Sequence, residues 1–267
     1  MATSSPALEL KDAGLELGGK LLWQGLNLTV QPGEFIAVIG SNGSGKTSLL
    51  RAILGQVELS SGSIKIHGKT FKHGAKLLGY IPQHRSVEQA GNLLARDLVR
   101  MGLDGHEFGL PLPKPHARKK VADTLAAIGA TELAGKSVGQ LSGGQLQRLR
   151  VGQAVIGEPK LLLADEPLSA LDPHQQNLIS ELIDSEHKRT RAAVLFVTHD
   201  VNPILGMVDR VLYLANGQFR IGTPDEVLRS EVLSELYGTQ IDVVRNQGRI
   251  VVVGTHEHDH HPDEEWS

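Results

Sequence analysis

Cysteine is absent from the 267-residue chain, and neither sign of charge dominates its composition. Without thiols the chain has no disulfide framework and no thiolate metal or redox site, which fits a reducing compartment. The formal net charge of −3 at pH 7 leaves no basic excess, whereas a protein that mainly binds nucleic acid needs a basic face. We therefore expect no nucleic-acid partner.

Apolar runs of membrane-spanning length are also missing. The longest ones, FIAVIG, LLLA, AAVLFV and IVVVG, have the length of strands and fall far short of the roughly 20 residues that a span needs. The opening residues MATSSPALELKDAG have neither the positive region nor the apolar region of a signal peptide. These patterns predict a soluble, intracellular chain.

Strand-like runs and helical patterns alternate along the chain. Residues 35–39, 161–164, 194–197 and 211–214 are predicted strands, and residues 224–237 a predicted helix. This alternation is typical of an α/β sheet with crossover helices.

A helical subdomain is predicted at residues 84–157, which carry helical patterns and a proline-rich joint, GLPLPKP, but no convincing strand. It would be inserted into an α/β core formed by residues 1–83 and 158–255. The sequence IDVVRNQGRIVVVG predicts a closing hairpin, and residues 256–267 are too polar to pack, so we expect a disordered tail.

A phosphate-binding loop is predicted where the strand FIAVIG runs into GSNGSGKTSLLRAILG. Gly40, Gly45, Lys46 and Thr47 match the pattern G-x-x-x-x-G-K-[ST], in which backbone amides wrap the phosphates. Lys46 would then contact the β- and γ-phosphates, and the Thr47 hydroxyl would ligate Mg²⁺. The motif predicts a nucleoside triphosphate site.

Two adjacent carboxylates end the apolar strand in LLLADEP, residues 161–167. Asp165 is expected beside the Mg²⁺ shell, as a Walker-B aspartate is. Glu166 can polarise the attacking water as a general base. An acidic pair at a strand end also occurs as a merely solvated feature, so this motif gains its meaning from the others.

A second anion site is indicated by SGGQLQRLRVG, residues 142–152. Gly143 and Gly144 bare the backbone, and Ser142 offers a hydroxyl at a helix N-cap. The spacing of Leu146 and Leu149 predicts that the helix carries one apolar stripe.

The motifs GSNGSGKT, GYIPQ, LSGGQ, LLLADEP, SALD and VTHD follow one another in this order. Their set and order resemble the nucleotide-binding subunit of ATP-binding cassette (ABC) transporters over roughly residues 8–235. The resemblance implies a P-loop NTPase (RecA-like) α/β fold with an inserted helical subdomain and an antiparallel β element. It also implies ATP hydrolysis with ATP and Mg²⁺ as cofactors.

The resemblance assigns site residues by position. Catalytic roles fall to Glu166, His199 (the switch histidine) and Gln83 (the Q-loop glutamine), and Asp172 matches the D-loop aspartate that couples two sites. Mg²⁺ ligation falls to Thr47, Gln83 and Asp165. ATP contacts fall to Gly40, Ser41, Asn42, Gly43, Ser44, Gly45, Lys46, Thr47, Ser48 and Leu17, with Ser142, Gly143, Gly144 and Gln145 supplied by a partner subunit packed head to tail.

Leu17 departs from the family pattern, which has at this position an aromatic residue that stacks on adenine. Leucine offers apolar contact but no π-stack, so adenine selectivity is open at this position. Trp23 falls where the family has an apolar residue and is predicted to belong to the core.

The leading interpretation, from the motif set, is the ATPase subunit of an importer. The C-terminal part resembles cassettes of zinc and manganese importers, and together with the histidine-rich tail this resemblance favours a transition metal ion, zinc or manganese, as the cargo. The partners of the subunit would be a second cassette, integral membrane permease subunits and, indirectly, an extracytoplasmic substrate-binding protein, and its location the cytoplasmic face of the membrane. Iron chelates or another small solute are alternative cargoes. A soluble ABC ATPase of DNA repair, a translation-associated ABC protein and a small-molecule P-loop kinase fit the motifs less well.

The tail contains four histidines, His256, His258, His260 and His261, interleaved with carboxylates. Imidazole and carboxylate suit Zn²⁺, Ni²⁺ or Mn²⁺. A solvated end without a metal role is the alternative, since composition alone fixes no coordination geometry.

Overall fold

The computed structural model describes residues 5–70, 75–83, 93–104 and 115–254. Its α-helices, in chain order, are α1 Lys46–Ile53, α2 Ala95–Asp104, α3 Pro115–Ala127, α4 Gly143–Val155, α5 Pro173–Thr190, α6 Pro224–Val227 and α7 Ser230–Tyr237. Short 3-10 helices lie at Ala75–Leu77, Thr131–Leu133, Val138–Gln140 and Asn202–Met207.

The strands are β1 Leu8–Leu17, β2 Lys20–Val30, β3 Phe35–Gly40, β4 Ser61–Ile66, β5 Leu78–Ile81, β6 Leu161–Asp165, β7 Ala193–Val197, β8 Arg210–Ala215, β9 Gln218–Gly222, β10 Ile241–Asn246 and β11 Arg249–Gly254. The predicted strands correspond to β3, β6, β7 and β8, each within one residue at either end. The predicted closing hairpin is β10 paired with β11.

A mixed sheet forms the centre of the fold, with the strand order β5-β6-β7-β3-β8-β9. All neighbours are parallel except β9, which returns antiparallel to β8. Strands β3, β6 and β7 are buried almost throughout, as expected for parallel strands covered on both faces. The predicted α/β class is confirmed.

Two hydrophobic clusters cover the faces of this sheet. One joins Phe35 and Phe196 to helix α5 and the C-terminal elements, and the other joins Ile36 and Leu195 to helix α1 and the antiparallel sheet. That antiparallel sheet has the order β2-β1-β4 and is the predicted antiparallel element.

A third cluster lies among helices α2, α3 and α4, with Val99, Leu125 and Leu149 in its centre. This is the inserted helical unit. Its exact boundaries at residues 84 and 157 stay a prediction, and the proline-rich joint lies largely outside the described residues.

The single helix predicted at residues 224–237 is wrong, because α6 ends at Val227 and α7 begins at Ser230. Leu228 leaves the helical conformation at φ −86° and ψ 68°. Its carbonyl accepts a hydrogen bond from Arg245 Nη2 of strand β10 at 3.3 Å. The break between the two helices thus coincides with a tertiary contact to β10.

In the part of the chain that the structure describes, we find no helix with the length and hydropathy of a membrane span. The same ranges contain no group of three histidine, aspartate or glutamate side chains arranged to hold a metal ion. The histidine-rich tail lies outside the described residues.

Candidate nucleotide site

The carboxyl ends of four parallel strands bring most of the predicted site residues to one edge of the sheet. Gln83 follows β5, Asp165 ends β6, His199 follows β7, and Gly40 ends β3. In an α/β sheet this edge is where ligands bind. The sheet order, in which β3, β7, β6 and β5 are successive neighbours, therefore unites residues that are far apart in sequence.

The phosphate-binding loop needs its glycines for steric reasons. Gly40, Gly43 and Gly45 have φ values of 149°, 74° and 96°, which disfavour L side chains. A Cβ atom on Gly40 would lie 1.9 Å from the backbone oxygen of Leu214 on β8. Ser41, Asn42 and Ser44 complete the turn, Ser48 lies in the first turn of α1, and the loop leads directly into the N-terminus of that helix.

Lys46 is folded back over the loop. Its Nζ donates hydrogen bonds to the backbone oxygens of Gly40 at 2.8 Å and Ser41 at 2.9 Å. Burial lowers the pKa of Lys46, and the nearby Glu166 and Asp165 carboxylates oppose that shift. An ammonium group held this way can exchange loop carbonyls for phosphate oxygens without moving far.

Thr47 and Asp165 are in direct contact, since Thr47 Oγ1 donates to Asp165 Oδ1 at 3.0 Å. Burial raises the pKa of Asp165 most strongly, the Thr47 hydrogen bond lowers it, and the adjacent Glu166 raises it again. A bound cation would neutralise the negative charge of this buried carboxylate. A hydroxyl oxygen beside a carboxylate is the oxygen donor set that Mg²⁺ prefers, so these residues fit that ion.

Glu166 is linked to the Q-loop glutamine, because Gln83 Nε2 donates to Glu166 Oε2 at 3.0 Å. Its backbone is left-handed, with φ 46°. Such a conformation costs on the order of 1–3 kcal/mol and persists only where neighbours enforce it. Here Glu166 N donates to Val197 O at 3.0 Å, and Ser169 N and Oγ donate to Glu166 O at 3.1 and 2.8 Å.

His199 lies on an exposed turn directly after β7. The turn is fixed by Thr198, whose Oγ1 donates to Asp200 O at 2.7 Å and accepts from Asp200 N at 3.1 Å. Within the described residues no hydrogen bond reaches the His199 ring. The turn therefore fixes the backbone at His199 and leaves its ring nitrogens open to a ligand oxygen atom.

Ser142 is the N-cap of helix α4, as predicted. Ser142 Oγ accepts from Gln145 N at 3.3 Å, and Gln145 Oε1 accepts from Ser142 N at 3.1 Å, which together form a capping box. No hydrogen bond joins residues 142–145 to residues 40–48 within the ranges that the structure describes. The two predicted anion sites thus lie at the starts of different helices, α4 and α1.

The prediction of one apolar stripe on helix α4 is wrong. Leu149 packs in the helical unit, whereas Val151, Ala154 and Val155 pack in the cluster of the central sheet. The helix lies between two cores, so it is buried on more than one side. Even Gln147 is fully buried.

Gly144 has a packing reason within its own chain. A Cβ atom here would lie 2.3 Å from Gln175 Oε1 on helix α5. That helix is capped by the predicted D-loop residue Asp172, whose Oδ1 accepts from Gln175 N at 2.9 Å. The predicted signature and D-loop segments thus touch each other through Gln175, a residue that motif reading did not single out.

We expect Gly144→Ala to displace the Gln175 side chain, and Gln175→Ala to relieve the clash. A double-mutant cycle of unfolding free energies by urea denaturation should give a coupling of about 1 kcal/mol, within the range for residues in contact. The matched control is Gly139→Ala, whose Cβ would meet only Ser137 Oγ, at 4.0 Å. Additive effects of Gly144→Ala and Gln175→Ala would contradict the contact.

Leu17 ends strand β1, where its side chain is 39% exposed, and pairs with Lys20 across a two-glycine turn. A cavity of about 430 Å³ separates this hairpin from the phosphate-binding loop. Leu21 and Leu22 line the cavity together with residues 41–44, and Leu17 does not line it. Leu17 is therefore near the site, but the structure does not bring it into contact with the loop.

Trp23 is fully buried, which confirms that it belongs to the core. Its indole lies directly under the phosphate-binding loop, because a Cβ atom on Gly45 would be 2.9 Å from Trp23 Nε1. Position 45 thus requires glycine for two reasons: its φ is positive, and the indole lies too close to leave room for a side chain.

Comparison with known proteins agrees with this geometry. The sequence profile of the ABC transporter family matches residues 23–169, more than half of the chain. The chain is 36% identical over 254 residues to the hemin import ATP-binding protein HmuV of Pseudomonas aeruginosa, covering 91% of this chain and 96% of that one. It is 33% identical over 237 residues to the zinc import ATP-binding protein ZnuC of Paracoccus denitrificans, covering 88% and 87%.

A solved structure is similar as well. A chain from an inward-facing conformation of a metal-chelate type ABC transporter superposes with a TM-score of 0.80 at 28% identity, covering 94% of this chain and 98% of that one. Fold, site and sequence together define a P-loop ATPase of the cassette type. The chain belongs to the ABC transporter family and is an ATP-binding, ATP-hydrolysing subunit.

Proposed function

We propose that this chain is the ATPase subunit of an importer and that it hydrolyses ATP at two sites shared in a homodimer. In this arrangement Ser142, Gly143, Gly144 and Gln145 of one subunit contact the γ-phosphate bound by the loop of the other. The observation that carries the proposal is the gathering of both carboxylates, the loop lysine and Gln83 at one sheet edge, with the capped segment 142–145 separate from it.

The proposed roles follow from the contacts. Lys46 neutralises the β- and γ-phosphates, and Glu166 takes the proton of the attacking water as general base. The hydrogen bond from Gln83 Nε2 orients the Glu166 carboxylate before the nucleotide arrives. His199 donates to the γ-phosphate, and Asp172, which caps helix α5, couples the two sites.

Mg²⁺ is the proposed metal, held by Thr47, Asp165 and Gln83. The ion would neutralise charge on the β- and γ-phosphate oxygens. Gln83 uses its amide nitrogen on Glu166, so its amide oxygen is the atom it can offer to the cation. Gln83 would then connect the metal to the general base.

The proposed cargo is a transition metal ion, zinc or manganese, taken up through separate permease subunits at the cytoplasmic face of the membrane. An extracytoplasmic substrate-binding protein would deliver it. The similarity to a zinc import ATP-binding protein supports this cargo. Haem or another iron chelate is the second candidate, because a hemin import protein is 36% identical over nearly the whole chain.

Uptake by cells that lack this chain tests the cargo. We expect loss of accumulation of ⁶⁵Zn or ⁵⁴Mn, restored by the wild-type chain but not by Glu166→Gln, since transport needs hydrolysis. Haem uptake measured in the same cells is the control. A selective loss of haem uptake would transfer the assignment to the second candidate, and unchanged uptake of all three would contradict an import role for these cargoes.

A further inference from the structure

Tyr80 lies where strand β5 passes the metal-binding end of β6. The register pairs Tyr80 with Leu163, so the Tyr80 side chain projects from the same sheet face as Leu163 and Asp165. On this face Tyr80 packs in the cluster that includes Leu50 of helix α1. Its hydroxyl donates to Asp165 Oδ2 at 3.4 Å.

Both oxygens of Asp165 are therefore tethered. Thr47 of helix α1 holds Oδ1 at 3.0 Å, and Tyr80 of strand β5 holds Oδ2 at 3.4 Å. A carboxylate with one tether can rotate about its terminal torsion, which is broad. A second tether from a separate element restricts that rotation.

We propose that Tyr80 is a positioning residue for Mg²⁺, which it serves by orienting the Asp165 carboxylate. The proposal rests on the proposed magnesium site and adds to it a contact from strand β5. Three residues later Gln83 holds Glu166 at 3.0 Å. The segment from Tyr80 to Gln83 thus contacts both carboxylates, the one proposed for the metal and the one proposed for the base.

The test separates metal positioning from general support of the fold. Binding of the non-hydrolysable analogue AMP-PNP to the full chain is measured by calorimetry in excess MgCl₂ and in EDTA. For Tyr80→Phe we expect the gain in affinity due to Mg²⁺ to fall about two- to tenfold, the range for loss of one hydrogen bond. Affinity in EDTA should stay within about twofold of wild type, because Tyr80 makes no proposed phosphate contact.

Tyr213→Phe is the matched control. Tyr213 is buried, whereas Tyr80 is partly buried, and the hydroxyl of Tyr213 on strand β8 pairs with that of Tyr237 on helix α7 at 3.1 Å. Removal of the Tyr213 hydroxyl should leave the Mg²⁺ gain unchanged. An unchanged gain in Tyr80→Phe overturns the proposal, and so does an equal loss of affinity with and without Mg²⁺, which is the signature of a structural role. A wild-type chain that binds AMP-PNP without any Mg²⁺ gain would instead refute the magnesium site itself.

Discussion

Glu166→Gln should leave ATP binding intact while hydrolysis falls by roughly 10²–10⁴-fold, the range for loss of a general base. Glutamine has the same shape and can still accept the hydrogen bond from Gln83 Nε2. It faces the same left-handed backbone, which three hydrogen bonds enforce. The change therefore removes a proton acceptor and little else.

An ATP-bound dimer should accumulate in the Glu166→Gln variant, and gel filtration with MgATP would detect it. The matched control is Glu158→Gln, because Glu158 also has a positive φ of 53° but lies outside the site, paired with Lys120 at 3.1 Å. That variant should hydrolyse ATP at nearly the wild-type rate. A Glu166→Gln chain that elutes only as a monomer with ATP would contradict the shared-site model.

Lys46→Ala should abolish measurable hydrolysis and weaken ATP binding by about 10- to 100-fold, as expected for losing hydrogen bonds from a charged group. The buried ammonium already bonds the backbone oxygens of Gly40 and Ser41, so it is preorganised for phosphate. Ser142→Arg should also abolish hydrolysis, but through the partner's nucleotide. It should leave ATP binding by a monomer intact.

Mixing the two inactive variants distinguishes shared sites from separate ones. In a head-to-tail dimer of Lys46→Ala with Ser142→Arg, both defects fall on one composite site and the other site is wild type. Some activity should return in the mixture, provided that one intact site can turn over alone. Ser185→Arg, on an exposed position of helix α5, is the control for arginine itself. Loss of ATP binding by monomeric Ser142→Arg would show that Ser142 acts within its own chain.

The buried parallel strands were predictable because a short continuous apolar run such as LLLA is typical of a strand that is covered on both faces. The helical stripe on α4 was not predictable in the same way. Its polar residues Gln147 and Arg150 are buried, because the helix is enclosed by the helical unit on one side and the central sheet on the other. A prediction of one apolar stripe presupposes that the opposite face of the helix is exposed to solvent. Helix α4 has no such continuous exposed face in the described structure.

The same limit applies to the site. Motifs predicted Thr47, Asp165 and Glu166 because each motif is local in sequence. The contact between Tyr80 and Asp165, which are 85 residues apart in sequence, depends on the register of strands β5 and β6 and on the length of the tyrosine side chain. The left-handed φ of Glu166 likewise depends on a hydrogen bond with Val197 of strand β7, in addition to the local bonds from Ser169. These features emerge only when the sheet is assembled.

The indole of Trp23 gives the protein a built-in optical probe. Trp23, one of the two tryptophans of the chain, packs beneath Gly45 of the phosphate-binding loop. Among the described residues its Nε1 hydrogen has no acceptor, and the atom is shielded from water, so the loop backbone above it is part of the environment that sets the emission of this ring. With Trp266 replaced by phenylalanine, Trp23 would be the one remaining tryptophan, and a change in its emission could time nucleotide arrival in stopped flow without any attached dye.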